Sequence, residues 1–140
     1  MWVLADKSKG VINPAAAVTD TPIGIVYTAE KEYDMYHYGL KTFGRKIEGD
    51  YPRVGILGLG DTVTTNCLQY DDSEFATFAA LEAALNAIDA AHPVYVAIVA
   101  NDPVPKLTAN KPGSGIYGKV TKYYTVPNGE KGVKYQIVSL

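Results

Sequence analysis

Two alternating runs near the end of the chain, Tyr117 to Val126 and Val133 to Val138, flank the segment Pro127-Asn128-Gly129-Glu130-Lys131-Gly132. Proline presets φ for a turn, and glycine takes positive φ without a Cβ penalty, so this stretch reads as a β-hairpin. A hairpin needs more strands, or a helix, to cover one of its faces. The chain offers several short strand candidates. Ile23 to Thr28 is β-branched, with Gly24 marking a bulge or a close backbone approach. Val54 to Leu57 and Thr62 to Leu68 are split by Gly58-Leu59-Gly60-Asp61. Val94 to Val99 is a buried-type strand, and a short one is expected near Trp2 to Leu4. About seven short strands are expected in all.

One helix interrupts them. Phe75, Phe78, Leu81, Leu85 and Ile88 recur at spacings of three and four, which is one helical stripe. Asp71 and Glu74 have capping-box spacing, Asp72 and Ser73 are alternative caps, and Pro93 is a stop, so the helix is expected over about 73–91. Its many alanines would let another backbone approach closely, a strand of the same chain by default or another subunit. The fold class that follows is mainly β (α+β): a small β-barrel or sandwich of short strands with one inserted amphipathic helix. Its core is expected to set that stripe against Ile56, Val63, Val94, Val96, Ile98, Val120, Val133, Tyr135 and Ile137.

The chain has 140 residues, which suits one domain able to bury roughly two-thirds of its unfolded surface without a staple. Residues 1–22 read as an extended N-terminal arm. Residues 23–140 read as a single β-rich domain, with a long excursion at 29–52 where Gly39, Gly44, Gly49 and Pro52 punctuate the chain. The start has no basic region followed by a long apolar one, so no signal peptide is expected. The longest apolar run, Val94 to Ala100, falls far short of a membrane span.

Formal net charge is −2 but unevenly placed. Residues 103–140 hold six lysines and one acid, a net +5, which leaves −7 on residues 1–102. Such asymmetry can orient an assembly or attract an acidic partner. Arginine forks are favoured for reading phosphates and bases, and this chain has only Arg45 and Arg53, so nucleic acid is not an expected partner.

Candidate chemistry is sparse. Gly55-Ile56-Leu57-Gly58-Leu59-Gly60 lacks the third glycine and the following helix of a dinucleotide loop, and reads as a turn between strands. Asp34 and His37 have no nucleophile placed beside them by sequence. His92 reads as a helix-end residue facing the last carbonyls. Cys67 is a lone thiol, which reads as a small buried hydrophobe. Asp71, Asp72 and Glu74 lack the twelve-residue calcium pattern and read as helix caps. No cofactor, metal or catalytic residue is expected. Trp2, Tyr33, Tyr36 and Tyr38 are the candidate protein-interface residues, since aromatics are enriched at interfaces.

From His92 the sequence runs His-Pro-Val-Tyr-Val-Ala, then Lys106-Leu107-Thr108, Lys111-Pro112-Gly113-Ser114-Gly115, Ile116-Tyr117-Gly118-Lys119-Val120 and Gly132-Val133-Lys134-Tyr135-Gln136-Ile137. This cadence resembles the small β-barrel domain of tailed-phage capsid decoration (cement) and head-fibre base proteins. Ala91-His92 stands where Gly-Asp is usual there, and Gly60-Asp61-Thr62-Val63 carries that pattern earlier. The inserted helix and the tyrosine-rich segment depart from the simplest members. The resemblance implies a non-enzymatic virion protein, assembled in the host cytoplasm. Its implied partner is the major capsid protein or another virion protein, with homo-oligomers expected and no membrane. A phage tail, connector or baseplate component shares nearly every feature. A small ligand-binding or enzymatic barrel would instead need convergent polar groups in a pocket.

Overall fold

The computed structural model describes residues 2–6, 11–15, 24–27, 53–66, 68–99, 102, 104–125 and 129–140. The fold is mainly β. A smaller antiparallel sheet has the order β2-β1-β3-β4, from β1 (Trp2–Asp6), β2 (Val11–Pro14), β3 (Gly24–Tyr27) and β4 (Arg53–Ile56). A larger one has the order β5-β10-β9-β7-β8-β6. Its members are β5 (Thr62–Thr65), β6 (Gln69–Tyr70), β7 (Tyr95–Ala97), β8 (Lys106–Thr108), β9 (Tyr117–Thr125) and β10 (Lys131–Ser139). The pair β6–β8 is parallel and the others are antiparallel. The long pair β9–β10 is the hairpin read from the sequence.

Connectivity forces the larger sheet to curl. Its two outer strands, β5 and β6, are joined only by residues 66–68. Four Cα steps reach about 14 Å at most, whereas five strand spacings in a flat sheet cover about 24 Å. The sheet therefore bends into a half-barrel. A bulge adds to the bend. Lys134 pairs with Lys122 and Tyr135 with Val120, so Thr121 is the extra residue, and its hydroxyl donates to the Lys134 carbonyl at 3.0 Å.

The inner face of the half-barrel carries Val96, Leu107, Val120, Val133, Tyr135 and Ile137, all buried. Phe75, Leu81 and Leu85 pack against it, with Val63 and Ile88 partly buried at the margin. The smaller sheet joins the same core. Trp2 and Ala15 belong to this cluster, and the Trp2 indole N–H donates to the Tyr135 hydroxyl at 3.4 Å. Within the N-terminal arm of residues 1–22, the short strand expected near Trp2 to Leu4 is β1, which pairs with β2 and with β3 and buries the large Trp2 side chain.

The helix α1 spans Phe78–Asn86, much less than the expected 73–91. The acids expected to cap it have other partners. The Asp71 carboxylate accepts from the Ser73 backbone N–H and hydroxyl, at 3.0 and 2.7 Å. Glu74 reaches across to β8, where its Oε2 accepts from the Thr108 hydroxyl at 2.8 Å and from the Ala109 N–H, and its Oε1 accepts from Asn110 Nδ2. Thr77 takes the N-cap, accepting from the Ala80 N–H at 3.2 Å. At the other end Asp89 Oδ1 accepts the Ala91 and His92 N–H groups, both at 2.7 Å, and replaces a further helical turn. His92 therefore sits in that turn, its Nδ1 3.1 Å from Asp89, and not over the helix C-terminus.

Three other expectations change. Phe78 is 53% exposed, because it is the first helical residue and overhangs the core. Ile56 is 71% exposed, because β4 is an edge of the smaller sheet. Ala79, Ala80, Ala83 and Ala87 are exposed, so no strand of the described chain lies against the alanine face. Gly24, expected at a bulge or close approach, marks a close approach: a Cβ there would lie 2.6 Å from the Gly55 carbonyl oxygen.

Candidate functional site

Two concave features arise from this architecture. The first is a cleft of about 410 Å³ where α1 lies over the seam between β5 and β6. Leu81 and Leu85 from α1, Leu68 from the strand link, Leu107 from β8 and Val133 from β10 make its lining apolar. Gln69, Asp72, Lys106 and Lys131 add polar groups. Tyr123 is fixed here from two sides. Its hydroxyl donates to Glu82 of α1 at 2.9 Å, and Lys131 Nζ lies 5.5 Å from its ring centroid. Desolvation, then the Glu82 carboxylate, push the Tyr123 phenol up to about 12. It is neutral near pH 7, a hydrogen-bond donor and no base. Lys106 is held 3.2 Å from Asp102, whose carboxyl is kept below its ordinary value first by the Val104 N–H and then by Lys106.

The second feature is a shallow groove of about 370 Å³ where the chain passes from the smaller sheet to the larger. Ile25, Ile56, Leu57 and Val63 supply its apolar part. The turn between β4 and β5 is tied down. The Asp61 carboxylate accepts the Gly58 N–H at 2.7 Å, the Asp61 N–H returns to the Gly58 carbonyl at 3.1 Å, and Gly60 takes φ +89°. Two further bonds, Gly60 N–H to the Ile137 carbonyl and Ile137 N–H to the Asp61 carbonyl, lock the turn onto β10. Leu59 is thus held out at its tip, 65% exposed, three residues after the exposed Ile56. The adjoining strand β5 reads Thr-Val-Thr-Thr and pairs with β10. A rigid, exposed apolar tip is suited to adhesion to another chain.

Of the residues singled out from sequence, Trp2 is placed in the core at 1% exposure. Tyr33, Tyr36 and Tyr38 lie outside the described residues, as do His37 and Cys67. The Asp71 carboxylate closes the turn at Ser73, and Glu74 ties down residues 108–110. Among the described residues no group of three His, Cys, Asp or Glu side chains is gathered to hold a metal ion, and no helix is long and apolar enough to cross a membrane. Sequence reasoning missed Ile56 and Leu59 as surface residues. A usable signal existed at Leu59, a large apolar side chain between two turn glycines. The Tyr123–Glu82 contact joins residues 41 apart in the chain and left no local signal. Comparison with protein-family models, with curated proteins and with solved structures finds no match.

Proposed function

We propose that this chain is a non-enzymatic virion structural protein, a capsid decoration (cement) or head-fibre base subunit that acts by adhesion. The observation that carries the reading is two exposed apolar side chains, Ile56 at the end of β4 and Leu59 on the locked turn that follows it. The half-barrel and the cadence of residues 92–137 support it. Burying one such side chain contributes roughly 1.5–3 kcal/mol, less than the rigid-body cost of association. Two of them alone give weak binding. They become effective where many copies engage a repeating surface at once, as on a capsid lattice. Co-elution of the chain with undecorated particles of its source in size-exclusion chromatography tests this. The expected result is retention on the particles that Ile56→Ser with Leu59→Ser abolishes.

A second reading, a ligand-binding barrel, is favoured by the apolar cleft under α1. It requires a small molecule that raises the melting temperature and perturbs Leu81, Leu85 and Tyr123, with the Ile56 and Leu59 variants unaffected.

A further inference from the structure

The outer face of the larger sheet carries a charge pattern that the adhesive groove does not use. Residues paired across strands share a face, so the register assembles two rows. One runs Thr64–Lys134–Lys122 across β5, β10 and β9; the next runs Thr62–Gln136–Lys119–Tyr95 across β5, β10, β9 and β7. Tyr124 stands on the same face, with Lys122 Nζ 5.5 Å from its ring centroid. These rows hold three lysines and no acid. Lys122 and Lys134 are exposed and directly opposite each other. Among the described residues, none of Lys119, Lys122 and Lys134 is in an ion pair.

Like charges directly opposite on a sheet destabilise it. Threonine at either position would suit the strand and remove the repulsion. The repulsion between the two lysines is a cost that an acidic partner would offset.

We propose that this lysine face is a docking surface for an acidic protein surface. The geometry favours a carboxylate-bearing protein over a nucleic acid. The rows span about 14 Å across strands and about 7 Å along them, room for three or four charge contacts and not for a long run of phosphates. The rows carry no arginine, whose planar fork is the favoured reader of phosphates. Rim-type lysines of this kind act mainly on encounter and orientation, with strong salt sensitivity. The proposal does not depend on the virion reading, since it rests on the lysines and not on Ile56 or Leu59.

The test uses the full chain with poly-L-glutamate as the acidic protein probe, and a single-stranded DNA oligonucleotide of matched charge, followed by two-dimensional amide NMR. Poly-L-glutamate should shift the amides of residues 119–124 and 132–136. Its affinity should fall about tenfold in Lys122→Gln with Lys134→Gln, fall steeply with salt, and be unchanged in Lys111→Gln. No shift on this face, equal loss in Lys111→Gln, or tighter binding of the DNA would overturn the proposal. Salt-sensitive self-association lost in the double variant would also overturn it, in favour of a second copy as occupant. A separate measurement needs no probe. Lys134→Thr should raise the melting temperature of the free chain at low salt, and the gain should shrink at high salt. A lower melting temperature would mean that the lysine pair supports the fold, and would contradict the proposal.

Discussion

Tyr123 shows at the scale of one side chain how the fold couples burial to charge. The folded phenol titrates near about 12, against an ordinary value of 10.0. Between these values the unfolded chain has released a proton that the folded chain retains. Its contribution to stability is therefore complete below pH 10 and is lost as pH rises toward 12. Denaturant titrations across that window should show stability falling with pH, and Tyr123→Phe should flatten the slope. Gly118 makes a steric counterpart. A Cβ at this position would overlap the ring of Tyr135, which is itself pinned by Trp2. Gly118→Ala should destabilise by about 1–3 kcal/mol through overpacking, seen as a lower denaturation midpoint with an unchanged slope. Tyr135 also carries a raised pKa, from burial, which the Trp2 hydrogen bond opposes.

Elements differ in how much of them local sequence determines. The alternation of Tyr117 to Val126 and of Val133 to Val138 reports a face buried against a core, and β9 and β10 form there. The stripe of Phe75, Leu81, Leu85 and Ile88 likewise reports contact with the core, and all four pack into it. The helix ends did not follow from local sequence, because Glu74 is drawn away by residues 34 to 36 positions later. The short strands β2 and β6 have too few residues to show a period, and they exist because partners are present. Ile56 illustrates the limit for the site. Its strand was readable, but which face would be covered depended on the edge position of β4. Two variants test this account of the elements. Leu85→Ala should cost about 2–5 kcal/mol, while Phe78→Ala, at an exposed position, should cost well under half as much in the same urea titration. Glu74→Ala should cost about 1–3 kcal/mol by leaving the buried Thr108 hydroxyl without its acceptor. Amide exchange should quicken at residues 108–110 before the rest of β8.

At the scale of the whole molecule, curling hides one face of the larger sheet and leaves three surfaces with different chemistry. The apolar cleft lies under α1, the rigid apolar tip stands between the two sheets, and the lysine rows lie on the outer face of β9 and β10. The tip carries the proposed adhesive role, and its small apolar area makes that role depend on many copies acting together. Binding of purified chain to undecorated particles of its source, read as occupancy against concentration, tests this most directly. The account predicts saturation at a fixed number of copies per capsid, with Ile56→Ser and Leu59→Ser together removing binding while the variant remains folded. Failure of the folded wild-type chain to bind, or binding that the double variant leaves intact, would contradict it.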